Sequence, residues 1–397
     1  MLDGPECSAD IFQAFHSTLR VNAFFNETGC LIGGVECAVQ VAGLLVGQRQ
    51  GAVTDRLVPW CGLGDRAFQR RGGLACLPRR EEEAALCRAE LCLTEPSQVG
   101  RRLRATNGAR FTSAPVFPDD AFGSALTQLR DVLDFNEVHL TGGEPTLHPR
   151  LPQIVAMSRS AGYKVSVTSN GENGERILPG CATAGLDHVN FSIFGTTAEE
   201  LAQVQNIRYR SHSLAGRKID ALEKSISLSL DLGLGARANV VIPNRHHVRR
   251  VHQLLDKYSP QLSVRVLSSL ADGEESLHAI DLLLEELQAQ PTEVRLTAGT
   301  SGFRVGYQLP SGRPLFVKHI RSLRLPETCT GCRFNNDTDC HEGYYGVRLY
   351  RDPRGRFHVG VCIQRMDLCL PLEEFVASSV ASEIRKLREQ DYHDLTA

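Results

Sequence analysis

The sequence predicts an α/β protein built on a parallel sheet, followed by a smaller α+β module. Three observations carry that expectation. From Phe117 onward, short apolar runs alternate with amphipathic helical stretches, the pattern of parallel strands joined by right-handed crossovers. Polar residues recur at the carboxyl ends of those strands, where α/β folds place their ligands. After about residue 290 the text changes to short alternating strands with Gly and Pro turns.

The 397 residues suffice for one large domain and a smaller one. With 42% hydrophobic and 23% charged residues, a formal net charge of −2 and no block of like charges, the composition gives no support for a nucleic-acid partner. The start, Met-Leu-Asp-Gly-Pro-Glu, lacks the basic n-region of a signal peptide, and the apolar run Val39 to Gly47 is too short to span a bilayer. A cytoplasmic location without a membrane partner is the expectation.

Residues 1 to about 50 combine a helical pattern over Ile11 to Leu19 with an apolar, Gly-rich stretch, Leu31 to Val46. Residues 56 to about 115 are rich in Arg, Gly and Cys and poor in periodicity, apart from an acidic, helix-like piece around Glu81 to Leu91. Pro118-Asp119-Asp120 then opens a helix, with acids in its first turn and Ala125, Leu126, Leu129, Val132 and Leu133 on its apolar face. Strands follow at Val138 to Leu140, Lys164 to Thr168, His188 to Ile193, Ala236 to Ile242 and Leu262 to Leu267. Between them lie helices from Leu151 to Gly162, from about Ala198, from Arg217 to Leu232 and from His246 to Tyr258, and another covers Leu277 to Leu287. Short strands Glu293 to Leu296, Gly302 to Leu309 and Arg313 to His319 come next. A hairpin, Tyr344 to Tyr350 and Arg356 to Val361, turns at Asp352-Pro-Arg-Gly355, and an amphipathic helix closes the chain over Leu372 to about Glu389. The expected division is an irregular region 1–115, a barrel-like unit 116–290 and a C-terminal module 291–397.

The stretch Val138-His-Leu-Thr-Gly-Gly-Glu-Pro-Thr-Leu-His-Pro149 stands out. Its strand stops at Gly142-Gly143, where missing side chains let the backbone turn sharply and approach a ligand. Glu144 sits on that turn, held by the stiff Pro145. An ordinary strand-to-helix connection has no need of two glycines, an acid and a proline in succession. Ser169, Asn170, Ser192 and Asn239 occupy further strand ends, and a series at equivalent positions suggests one ligand crossing one face.

Thirteen cysteines are many for a reducing compartment, where clustered thiols suggest metal or redox chemistry. Cys7, Cys30, Cys37, Cys61, Cys76, Cys87 and Cys92 scatter through the first quarter, as small buried hydrophobes do. Cys329-Thr-Gly-Cys332 sets two thiolates on one tight turn, Cys340 follows, and the hairpin returns Cys362. Four such thiolates satisfy either a structural zinc or a 4Fe–4S cluster, and spacing does not choose between them. Cys369 is a spare.

Leu140-Thr-Gly-Gly-Glu-Pro-Thr-Leu-His-Pro149 resembles the glycine-glycine-glutamate-proline motif of the radical S-adenosylmethionine (SAM) superfamily, and most closely the GTP 3′,8-cyclase subgroup and its natural-product-pathway relatives. The resemblance covers about residues 117 to 390. It implies a partial (β/α)6 TIM-like barrel with a small C-terminal α+β auxiliary-cluster module. It implies SAM held by Gly142, Gly143, Glu144 and Pro145 together with Ser169, Asn170, Ser192 and Asn239. Cys329, Cys332 and Cys362, with Gly346-Val-Arg-Leu349, are similar to the cyclase's auxiliary-cluster segment. Cys340 is extra to that three-cysteine pattern, and as a fourth ligand it would fill the iron that the cyclase leaves open for substrate. A small-molecule substrate, a cytosolic electron donor and reductive SAM cleavage to a 5′-deoxyadenosyl radical follow from the same resemblance.

The chain departs from the family at the three cysteines, Cys-x3-Cys-x2-Cys, that hold the SAM-cleaving 4Fe–4S cluster. Val53-Thr-Asp-Arg-Leu-Val-Pro-Trp-Cys61-Gly-Leu-Gly64 resembles the lead-in, with Leu57 and Gly64 where the outer cysteines belong. Three accounts compete: a misread frame over residues 56 to 115, an unusual cluster built from Cys61, Cys76, Cys87 and Cys92, or a real loss that leaves a SAM-binding or scaffold protein. A zinc-stabilised binding module is a further reading of the C-terminal cysteines.

Overall fold

The computed structural model describes residues 57–60, 75–78 and 90–94 as strands, and residues 114–396 apart from 143, 205–210, 337–339 and 341–342. The helical pattern over Ile11 to Leu19 and the apolar stretch Leu31 to Val46 lie outside the described residues.

Strands β1 (Leu57–Trp60) and β2 (Ala75–Pro78) pair antiparallel. The main sheet opens with β3 (Glu90–Thr94), which runs parallel to β4 (Glu137–Thr141). Strands β5 (Lys164–Ser169), β6 (His188–Ile193), β7 (Gly235–Ile242) and β8 (Leu262–Ser268) follow, each parallel to the one before. Six parallel strands in sequence order, each followed by helix, form a partial (β/α)6 TIM-like barrel. Single winding in one right-handed sense leaves the helices on one face of the sheet.

The helices are α1 (Asp120–Leu133), α2 (Leu151–Ser160), α3 (Gly174–Thr183), α4 (Ala198–Val204), α5 (His212–Asp231), α6 (Val248–Lys257) and α7 (Gly273–Glu286). Helix α1 starts as its sequence predicts: the Asp119 carboxylate accepts the Phe122 amide at 3.0 Å, and Phe122, Ala125, Leu126, Leu129 and Leu133 face the core. Helix α3 has no counterpart in the sequence reading. Pro179-Gly180 inside it removes a backbone donor and lowers helix propensity, which hides it from pattern, while Ile177, Leu178 and Cys181 hold it in the core. The helix-like piece Glu81 to Leu91 is corrected at its end, since Glu90 and Leu91 belong to β3.

Strands of the C-terminal module extend both edges of the barrel sheet. Beside β8 lies β11 (Pro314–Ile320), parallel to it, then β10 (Gly302–Gln308) and β9 (Gln290–Leu296), antiparallel. Beside β3 lies β12 (Val347–Arg351), parallel to it, then β13 (Phe357–Gly360) and β14 (Leu370–Pro371), antiparallel. The closing helix of the sequence reading is two, α8 (Leu372–Val376) and α9 (Ser379–Thr396). The break falls at Ala377-Ser378, where the Ser378 hydroxyl accepts the Ala381 amide and restarts the helix.

The period-two alternation of the strands decides what the barrel is for. Val138, Leu140, Val165, Val167, Val189, Phe191, Ala236, Ala238, Val240, Val264 and Val266 are buried and face the helices. The opposite face carries His139, Thr141, Thr168, Asn190, Asn239, Arg265 and Lys318, which line one cavity. Closed TIM barrels fill this space with branched apolar side chains. Here it is lined by polar side chains around a cavity of about 200 Å³.

Candidate SAM site, lumen and cysteine cluster

Glu144 stands at the carboxyl end of β4. Gly142 before it has φ +151°, a conformation open to glycine and strained for other residues. Gly143 lies outside the described residues. Glu144 caps the 3₁₀ turn Pro145–Leu147, in which Pro145 occupies the first position, where its fixed φ fits and its missing N–H costs nothing. The carboxylate is held from its own turn and from the end of β5. Its Oε1 accepts the Thr146 amide at 3.0 Å and the Ser169 hydroxyl at 2.8 Å, and the Thr146 hydroxyl also donates to it. Its Oε2 accepts the Asn170 amide at 2.6 Å. These four donors from the described residues fix the carboxylate, and Oε2 keeps room for another.

The other predicted strand-end residues divide. Ser169 is buried against Glu144 and also accepts the Gly171 amide at 2.9 Å. Asn170 contributes its backbone, whereas its carboxamide turns away, accepting the Glu172 amide at 2.9 Å. Ser192 and Asn239 are paired neighbours on β6 and β7, and the Asn239 Oδ1 is buried with no hydrogen-bond partner among the described residues.

The lumen adds residues that the sequence reading missed. Asn190, 2% exposed, presents a buried Oδ1 to a cavity of about 200 Å³ shared with Thr141, Thr168, Asn239, Arg265 and Arg348. That oxygen, too, has no hydrogen-bond partner among the described residues. A smaller chamber of about 50 Å³ shares His139, Arg265, Lys318 and Tyr345 with it, and adds Arg237, Arg295 and Arg304 beside the Glu137 carboxylate. Lys318 donates to the Tyr345 hydroxyl at 2.9 Å, and its ammonium lies 4.2 Å from the ring centre. Six guanidinium or ammonium groups converge from different strands and loops beside the Glu137 carboxylate, with Arg295 paired to Glu293 at 2.6 Å, so cations outnumber acids along the lumen. The signal was available in the strands: Asn190, Arg237, Asn239 and Arg265 fall on one face by period two. That face becomes the inside only once the sheet curls.

In the C-terminal module, Cys329 and Cys332 share a turn in which the Cys332 amide donates to the Cys329 carbonyl at 3.1 Å. Cys340 is tied nearby, its carbonyl accepting from Arg324 at 3.2 Å. Burial pushes the Cys329 thiol up to about 11, and the charges of Cys340, Cys362 and Cys332 push the same way. The Cys362 thiol is also raised by burial, with Cys340 and Cys332 adding to it. The four thiols therefore feel one another, although among the described residues no three His, Cys, Asp or Glu side chains close around one point as a single ion requires. Arg365, in an ion pair with Asp367 at 2.6 Å, also reaches Cys332. Cys181 and Cys369 stand apart, each pushed to about 12 by burial alone.

No such set appears among the described residues for the family's SAM-cleaving cluster. The segment leaving the carboxyl end of β3, residues 95–119, contains no cysteine. Cys92 lies within β3, in register with His139 and Arg348, and Cys76 lies within β2. Cys61 and Cys87 lie outside the described residues.

Residues 118–235 match the family model of the Radical SAM superfamily. The probable GTP 3′,8-cyclase of Metallosphaera sedula is 28% identical over 221 residues, covering 55% of this chain and 66% of that protein. The probable GTP 3′,8-cyclase of Saccharolobus islandicus strain L.S.2.15 is 29% identical over 232 residues, covering 55% of this chain and 69% of that protein. Among solved structures, hexahistidine-tagged anSMEcpe with bound AdoMet aligns at a TM-score of 0.44 and 12% identity, over 76% of this chain and 84% of that one. Residues 118–235 are thus similar to the radical SAM superfamily, and over about half of its length the chain is similar to probable GTP 3′,8-cyclases.

Proposed function

We propose that this chain is a radical SAM-type enzyme that binds SAM at Glu144 and takes an anionic small molecule into the positive lumen. A 4Fe–4S centre beside bound SAM would pass it an electron from a cytosolic donor, so that methionine leaves and a 5′-deoxyadenosyl radical is freed to abstract hydrogen from substrate; the described residues hold no cysteine set for that centre. The observation that supports the reading is the Glu144 carboxylate, fixed by donors from its own 3₁₀ turn and from the end of β5, with room left on Oε2 for a further donor such as the SAM ammonium. Gly142, Gly143 and Pro145 shape that turn, and Ser169 and the Asn170 amide hold the carboxylate. Ser192 and Asn239 meet the ribose or carboxylate of SAM from the neighbouring strands. Asn190 and Arg265 orient the substrate below, where the enclosing sheet excludes water.

Cys329, Cys332, Cys340 and Cys362 hold an auxiliary 4Fe–4S cluster in this reading. What supports it is the sharing of one module by these four thiols together with the resemblance of Cys329, Cys332 and Cys362 to an auxiliary-cluster segment. In this reading the boundary expected at about 115 moves ahead of β3 (Glu90–Thr94), which belongs to the barrel sheet, and the boundary at about 290 is kept.

A second reading is favoured by the cysteine-free segment after β3: a barrel that binds SAM and a partner molecule without radical chemistry. Anaerobic reconstitution with iron and sulfide separates the two. The enzyme is expected to take up two clusters and to form 5′-deoxyadenosine from SAM under reduction. A single cluster with intact SAM would overturn it and leave the binding protein.

A further inference from the structure

Helix α9 reaches the cysteine turn through one carboxylate. Glu383 is 6% exposed, and its Oε1 accepts the amides of Glu327 at 2.6 Å and Thr328 at 3.0 Å. Its Oε2 accepts the Thr328 hydroxyl. These groups immediately precede Cys329, whose own amide donates to the Leu325 carbonyl at 3.0 Å. The turn 325–332 is therefore a short helical turn whose first amides lack partners within the turn, and Glu383 supplies them from a distant element.

The helix that carries Glu383 is itself fixed at two other places. Arg388 donates to the carbonyls of Leu133 and Asp134 at the end of α1, satisfying the acceptors that a helix end leaves open. Asp391 accepts the Gly299 amide and forms a two-point pair with Arg321, one contact being 2.6 Å, with both residues buried. Glu383, Arg388 and Asp391 lie within nine residues on one helix, so the cysteine turn, the first barrel helix and the β9–β10 connection share one rigid support.

From this we infer that Glu383 is a positioning residue for the metal centre: its carboxylate, carried on the barrel-anchored α9, sets the place and direction of the Cys329 and Cys332 thiolates. The inference rests on the reading that these cysteines hold a metal centre. Groups that orient ligands from behind change metal retention by roughly 10–100-fold when removed. A carboxylate is suited to the role, because it accepts three donors at once and its negative charge disfavours drift toward the thiolates.

The test compares the wild-type full chain with Glu383→Gln, which keeps the volume but weakens acceptance, and with Glu383→Ala. Each is measured metal-free by hydrogen exchange, and after iron–sulfide reconstitution by the rate of iron loss to a chelator. In Glu383→Gln we expect exchange at residues 325–332 to rise about tenfold, with residues 388–391 unchanged, and iron loss to accelerate by about tenfold. Glu383→Ala should exceed both effects. Unchanged iron loss alongside faster exchange would overturn the positioning role and leave a structural cap. A wild-type chain that retains no iron, or a Cys329→Ala chain that retains it fully, would instead sink the cluster reading. The protected turn would then be only a fold contact.

Discussion

At the scale of the residue, Glu144 shows how a motif becomes a site. A lone carboxylate on a glycine turn would sample many directions. Here the Thr146 and Ser169 donors and the Asn170 amide remove that freedom before any ligand arrives. A charged hydrogen bond of this kind contributes roughly 1.5–3 kcal/mol, so Glu144→Gln is expected to weaken SAM binding by about 10–100-fold. Titration calorimetry on the full chain checks this, and an unchanged affinity would remove Glu144 from the site. The motif announced Glu144 in the sequence. Asn190 went unannounced, because the period-two alternation of its strand marks it as sharing a face with His188 and Ser192 but does not say that this face turns inward.

At the scale of the element, α9 is the clearest case of sequence pattern understating a role. Its periodicity predicts an amphipathic closing helix, yet three of its charged residues are buried in specific pairings. Arg321 and Asp391 are 6% and 8% exposed. Removing one partner of such a pair leaves an uncompensated buried charge, at a cost of about 3–5 kcal/mol. Asp391→Ala is therefore expected to lower the denaturant midpoint markedly, more than Asp394→Ala at the exposed end of the same helix. Equal effects in the two variants would show that the pair carries no special weight. The split between α8 and α9 and the Pro-containing α3 were missed for a related reason. Tertiary packing and a serine cap override what propensity alone predicts.

At the scale of the whole molecule, the sheet brings charge together. Arg237, Arg265, Arg295, Arg304, Lys318 and Arg348 are spread over more than a hundred positions and come from separate segments, yet all line the two lumen chambers. We expect inorganic triphosphate to bind there, with affinity falling as ionic strength rises, and Arg265→Ala to weaken it by about tenfold. Calorimetry at low and high salt reads both effects. Binding indifferent to salt and to Arg265 would place the anion elsewhere.

The sequence by itself determined the parallel α/β order, the start of α1, the Gly142–Pro145 turn and the grouping of the late cysteines. Each of these is written in neighbouring residues, through period, capping and spacing. The tertiary structure alone decided which strand face turns inward, that the module strands extend both edges of the sheet, and that Glu383 supports the cysteine turn. It also made Glu90–Thr94 the first barrel strand, so that the sequence following it, 95–119, is the one found to lack cysteine. Those facts depend on contacts between residues far apart in the chain, and period or spacing within a strand carries no information about which distant strand will lie beside it.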